Sequence, residues 1–263
     1  MVPFKFVETL PDSFFDAATA VIDGRSLGVI CRSYVPDEVS GEILRRFLRH
    51  PQLRRRMGDA EGAYLGTFHW RKPKSEYLAE CRTLASAVES FSPEWNDAIG
   101  RLNDTLATTE TTVRPATWER VRVATPLVRS WEGDDDFALV PHEDASQCTD
   151  PIQAGFEAQE VARKHRVCSL NLCIANSSGG ELQLWNHVPT PAEKLELGTS
   201  IEGGPYPTEF VKQMETTVVP VHPGDLYIFN GSYLHAVRAA ASDRATISCL
   251  LGRLSASEVV TWT

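Results

Sequence analysis

From residue 115 onward the chain breaks into short apolar runs separated by Gly, Pro, Asn and Asp turns, and this rhythm limits its fold more than any other feature. The clearest case is Val167 to Ala175, a largely apolar run. It is closed by Asn176-Ser177-Ser178-Gly179-Gly180 and followed by Glu181 to Trp185. Two such runs around a Gly-rich turn read as a β-hairpin. Further strands are expected at Val121–Val123, Leu127–Trp131, Phe137–Val140, Thr216–Val221, Leu226–Phe229 and Ala245–Leu251. Asp134-Asp135-Asp136 and Pro223-Gly224-Asp225 supply turns, and Gln153 to Lys164 reads as an inserted helix. Many short strands with turn punctuation point to an antiparallel sandwich or barrel.

The first 114 residues follow a different period. Val39, Ile43, Leu44, Phe47 and Leu48 recur at helical spacing after Pro36-Asp37-Glu38, and Pro51 ends that run. A second stretch, Tyr77 to about Leu106, keeps the same spacing and breaks at Ser92-Pro93. The basic run Arg54-Arg55-Arg56 reads as the solvated face of a helix. The fold class is therefore α+β, one domain over residues 1–263, with a mainly helical buttress (1–114) on a jelly-roll-like core (115–263). Residues 188–214, rich in Pro, Gly and Glu, form a long excursion of the kind that serves as a lid.

Composition removes several function classes. The net charge is −9, which argues against a nucleic-acid-binding face. No apolar run approaches the roughly 18 residues of a membrane span, and the first residues lack a signal-peptide pattern. None of the six cysteines forms a C-x-x-C pair. Reduced thiols in a cytoplasmic protein are the simplest reading.

The chemistry centres on His142-Glu143-Asp144. Residues two apart on a strand share a face, so one imidazole and one carboxylate can meet at a single ion. The pair alone is a weak signal, and its bland alternative is a loop in which Asp144 caps a helix. A further histidine, His235, follows the turn-strand-loop run Pro223 to Leu234, and Arg244 and Thr246 follow it in turn. A hairpin between them would return Arg244 beside His235. Two histidines and one carboxylate on one face of an octahedron suit Fe(II) that must also bind other ligands.

These pieces, in this order, resemble the Fe(II)/2-oxoglutarate-dependent dioxygenase superfamily over about residues 120–253. The match comprises Pro141-His142-Glu143-Asp144, Gly179-Gly180-Glu181-Leu182, Pro223-Gly224-Asp225-Leu226 to His235, and Arg244-Ala245-Thr246. The resemblance implies a double-stranded β-helix core of jelly-roll or cupin-like type. It implies iron held by His142, Asp144 and His235. It further implies 2-oxoglutarate held by Arg244, with Thr246 as hydroxyl partner and Asn171 reaching the cosubstrate. Arginine suits that task because its planar fork matches a carboxylate. Radical halogenases of the superfamily have Gly or Ala where Asp144 stands, so the retained carboxylate implies hydroxylation by Fe(II), 2-oxoglutarate and dioxygen. The wordings around Pro141–Gln147 and Gly179–Trp185 are similar to those of bacterial enzymes acting on free amino acids and small natural products.

For the substrate, Arg129 and Trp131 share one strand face, Glu181, Gln183 and Trp185 another, and Arg71 can reach in from the helical half. A small polar substrate, such as a free amino acid, is expected. A peptide substrate of the prolyl-hydroxylase kind and a non-catalytic, ligand-sensing metal barrel are the alternatives.

Overall fold

A computed structural model describes residues 3–56, 61–132, 136–164, 166–240 and 244–263. The chain begins with strand β1 (Phe6–Thr9), helix α1 (Pro11–Ile22), β2 (Gly28–Cys31) and α2 (Asp37–Leu48). Next come β3 (Arg54–Arg56), β4 (Gly62–Leu65), α3 (Lys74–Glu89) and α4 (Pro93–Ala107). Strands β5 (Thr112–Pro115), β6 (Thr117–Trp118), β7 (Val121–Arg122), β8 (Leu127–Trp131) and β9 (Phe137–His142) follow. After α5 (Glu157–Arg163) come β10 (Cys168–Ala175), β11 (Leu182–Trp185), α6 (Pro191–Glu196) and α7 (Thr208–Val211). The chain closes with β12 (Thr216–Val219), β13 (Leu226–Asn230), β14 (His235–Arg238), β15 (Arg244–Ser255) and β16 (Glu258–Trp262).

Two sheets carry the architecture. The larger runs β1-β2-β13-β10-β15-β8-β4-β3, with β16 on β15 and β5 on β16. The smaller runs β12-β11-β14-β9. Consecutive strands from β8 to β15 alternate between them, four to each sheet, with β11 and β12 the one pair that stays together. The sheets face each other. Leu182, Leu184 and Val219 of the smaller pack with Ile30, Cys173, Tyr227 and Phe229 of the larger.

Side-chain alternation gives the large sheet two unlike faces. On β10, Leu170, Leu172 and Ile174 join the helices in the main apolar cluster, while Ser169, Asn171 and Cys173 turn to the other side. On β15, Ala245, Ile247, Cys249 and Leu251 do the same, which leaves Arg244, Thr246 and Ser248 facing the smaller sheet. The cluster runs from Phe14 of α1 through Ile43 and Phe47 of α2 and Tyr77 of α3 to Trp262. Each such fully buried side chain contributes about 1.5–3 kcal/mol by leaving water. Helix α4 starts where Ser92 accepts a hydrogen bond from the Trp95 N–H at 3.2 Å, with Pro93 in the first turn.

Several expectations need correction. Arg54-Arg55-Arg56 is edge strand β3, paired with β4, and not a helix face. The helical half also contributes β1–β4 to the large sheet, so the sheet does not begin at residue 115. His235 and Arg244 are not joined by a hairpin, because β14 lies in the smaller sheet and β15 in the larger. The inserted helix shortens to α5, preceded by 3-10 turns at Ser146–Cys148 and Pro151–Gln153. The excursion 188–214 folds into α6 and α7. Asp134 and Asp135 of the expected turn, and His165, lie outside the described residues. Among the described residues, no helix is long and apolar enough to cross a membrane.

Candidate metal centre

His142 ends β9 and His235 begins β14, and the antiparallel register sets the two directly opposite each other. Their rings lie 4.1 Å apart between centroids. The His142 Nδ1 faces the Val140 carbonyl at 2.8 Å, and the His235 Nδ1 faces the Tyr233 carbonyl at 2.8 Å. A carbonyl can only accept, so each Nδ1 carries the proton and each Nε2 keeps a free lone pair. Asp144 lies two residues beyond the end of β9, held where its N–H donates to the Gly231 carbonyl at 2.8 Å. Its carboxylate lies 3.5 Å from His235 Nε2 and 3.9 Å from His142 Nε2. One ligand atom from each of the three residues falls within 4.8 Å of the others.

The surroundings fit a cation. Burial pushes the Asp144 carboxyl up to about 6, against the pull of His142 and Arg129. Burial, then His235, lowers His142 to about 3, and burial lowers His235 to about 4. Both imidazoles are therefore neutral, as ligation requires. Gln147 donates to Asp144 Oδ1 at 3.0 Å and orients it. A Cβ at Gly231 would sit 2.3 Å from Asp144 Oδ2, so only glycine leaves that carboxylate its place. Two neutral imidazoles and one carboxylate with open space beside them suit Fe(II) of the 2-His-1-carboxylate type.

Beside this set, Arg244 and Thr246 are fully buried on the inner face of β15. Arg244 donates through Nη2 to the Tyr227 hydroxyl at 2.7 Å, yet its Nε and the Thr246 hydroxyl have no partner among the described residues. Buried donors left open in this way suit a carboxylate guest. Trp131 stands between two guanidinium groups, 4.6 Å from Arg129 and 5.2 Å from Arg244. Asn171 shares the inner face, paired in register with Tyr227 and Ser248, and donates to Ser169 Oγ at 3.0 Å.

A cavity of about 340 Å³ opens onto His142 and Asp144, walled by Phe68, Trp70, Arg129, Leu139 and Val140. Burial, then repulsion from Arg56, lowers Arg129 to about 10. Arg71 stands at the mouth with a left-handed φ of 54°, stacked 4.5 Å over Trp70 and ion-paired with Glu202 of the excursion. A larger groove of about 450 Å³ between α2 and α3 contains none of these groups.

The expectation for Trp185 needs correction. It packs with Tyr206, Val211, Leu234 and Ala236 on the outer face of the smaller sheet, opposite the face of His235. Glu181 and Gln183 were grouped with it by the same face argument. Phe68, Trp70, Gln147, Tyr227 and Glu202 escaped the sequence reading. Gln147 was within reach, three residues after Asp144 and followed by a helical turn. The others come from distant segments with no local pattern.

No family model matches the chain. A stretch of 151 residues, 57% of this chain, is 32% identical to L-isoleucine 3(1)-dioxygenase of Pantoea ananatis (strain AJ13355). That stretch covers 50% of the relative, so the chain spans about half the length of the curated protein it matches. Among solved structures, the N-substituted L-amino acid dioxygenase of Burkholderia ambifaria AMMD superposes with a TM-score of 0.63 at 14% identity, covering 95% of this chain and 91% of that one. The same enzyme in complex with 2-oxoglutarate gives 0.53 at 16% identity, covering 94% and 90%. These two carry the fold, and the Pantoea protein carries the sequence relationship. The chain is thus similar in sequence, over part of its length, to an amino acid dioxygenase, and it shares the fold of another.

Proposed function

We propose that this protein hydroxylates an unactivated C–H bond of a small polar molecule, a free amino acid or close relative, with Fe(II), 2-oxoglutarate and dioxygen. The observation that carries this reading is the convergence of two neutral imidazoles and one buried carboxylate beside an arginine with an unpaired buried donor. The amino acid dioxygenases to which the chain is similar support the substrate class. So does a cavity of about 340 Å³, which is roofed in part by Glu202, Gly204 and Pro205 and suits a small molecule better than a peptide.

In this reading His142, Asp144 and His235 hold iron. Arg244 and Thr246 receive a carboxylate of 2-oxoglutarate, and Asn171 lines the same inner face. With cosubstrate and dioxygen, bound iron supplies the oxidising power to convert R–H to R–OH, while 2-oxoglutarate becomes succinate and carbon dioxide. Gln147 keeps Asp144 turned toward the two histidines. Phe68 and Trp70 keep water from the reacting bond, and Arg129 presents a half-buried cation for an anionic group. Arg71 and Glu202 frame the mouth. The retained Asp144 carboxylate supports hydroxylation over halogenation. Positioning one C–H bond and excluding water are the tasks left to the protein.

We read the two facing sheets, four alternating strands in each from β8 to β15, as a double-stranded β-helix. The apolar cluster that runs from Phe14 to Trp262 supports treating residues 1–263 as one domain. All six cysteines are free and buried, which suits the cytoplasm. The test is succinate release screened across free amino acids and then peptides. Stimulation by a free amino acid is expected. Stimulation by peptides alone would replace the small-molecule reading with the peptide one.

A further inference from the structure

Glu143 lies between two of the three candidate ligands, and its side chain is fully buried. Its carboxylate accepts from the Ala145 N–H at 2.7 Å and the Ser146 N–H at 3.1 Å, which closes the turn just after Asp144. A buried carboxylate needs a cation. That cation is Lys194 of α6, at 2.9 Å from Glu143 Oε1 and 2.8 Å from the Ser146 hydroxyl. The excursion thus delivers a charge to the segment that carries two ligands.

It also grips that segment through the backbone. The Glu143 N–H donates to the Gly203 carbonyl at 2.7 Å, and the Tyr206 N–H donates to the Pro141 carbonyl at 2.8 Å. Gly203 has φ +77°, and a Cβ there would meet the Glu143 carbonyl oxygen at 2.2 Å. Lys194 is placed by a helix whose start is fastened by a capping box of Thr190 and Glu193. Four contacts, made by Lys194, Gly203 and Tyr206, therefore bind residues 194–206 to Pro141–Ser146.

We propose that Lys194 is a positioning residue for the metal centre. It holds the buried Glu143 carboxylate, which fixes the turn that sets Asp144 against His142 and His235. The excursion is then a strap that completes the ligand set, and not simply a lid over the substrate. This rests on the iron reading of His142, Asp144 and His235. Groups that orient a metal's ligands are worth roughly 10- to 100-fold in affinity when lost.

The test is titration of metal-free protein with Co(II), followed by its visible absorption, well below the unfolding temperature. Lys194→Met should weaken Co(II) binding roughly 10- to 100-fold and alter the band shape. Lys194→Arg should restore much of both. The double variant Glu143→Gln/Lys194→Met, which leaves no uncompensated buried charge, should bind better than Lys194→Met alone. Lys194→Gln serves as the second single variant if Lys194→Met does not fold. Tight binding with an unchanged spectrum in Lys194→Met or Lys194→Gln overturns the proposal, even if the unfolding temperature falls. A wild-type protein that binds no Co(II) overturns the iron reading instead.

Discussion

Two carboxylates, half-buried Glu80 and buried Asp144, show how differently one fold treats an acid. Glu80 of α3 receives Lys72, Thr67 and Arg54. Burial pulls it upward, but the Lys72 ammonium and its other donors outweigh that and hold it down to about 2. Asp144 receives only the Gln147 amide and its neighbours' fields, and burial lifts it to about 6. The first group is satisfied by the protein itself. The second is desolvated and left short of positive charge, and on the same inner face the Arg244 Nε and the Thr246 hydroxyl have no partner among the described residues. A structural charge cluster closes on itself, whereas a binding site stays open toward what it is to bind.

The sharpest way to break this contrast is at Arg244. In the proposed reading, Arg244→Leu removes the charge-assisted hydrogen bonding of a cosubstrate carboxylate, worth about 1.5–3 kcal/mol per bond. The dissociation constant for 2-oxoglutarate should rise by at least about 100-fold, read by calorimetry, with Co(II) binding in the absence of cosubstrate little changed. Lys72→Met strikes the closed cluster instead. It should lower stability by about 2–3 kcal/mol in denaturant melts, because it leaves Glu80 short of its main cation. Metal and cosubstrate affinities should stay at wild-type values.

The pH dependence sharpens the same point. The Glu80 carboxyl titrates lower folded than the roughly 4.3 of a free glutamate. Its stabilisation is thus complete above that value and lost as pH falls toward about 2. Acid melts of the wild type should show this loss, and Lys72→Met should flatten it. The smallest effect is expected at Trp185, whose ring lies on the outer face of the smaller sheet. Trp185→Phe should cost about 1 kcal/mol of stability and leave the KM for substrate within about twofold.

The contrast also marks what was legible in the sequence. Strand β10 and its turn were plain because a largely apolar run, Val167 to Ala175, meets an Asn-Ser-Ser-Gly-Gly stop. The candidate ligands were legible because His-x-Asp and His235 each sit in a punctuated local frame. Strand β2 was not, since Gly28-Val29-Ile30-Cys31 is buried at every position and shows no alternation. Edge strand β3 hid behind three arginines whose charges find partners far along the chain, Arg54 with Glu80 and Arg55 with Glu132. Trp185 was misplaced because an i, i+2 pattern tells which residues share a face but not which face is inward. The path from His235 to Arg244 was misread for a similar reason. Their spacing is short enough for a hairpin, and only the sheet assignments reveal a crossing between layers.

The central claim is that the open site is an iron and 2-oxoglutarate centre. Anaerobic addition of Fe(II) and 2-oxoglutarate tests it most directly through the weak visible charge-transfer band that such a centre gives. The band should form in the wild type, require both components, and vanish in His142→Ala and His235→Ala while surviving in Lys72→Met. A wild-type protein that shows no band, or a band that persists in both histidine variants, would contradict the assignment.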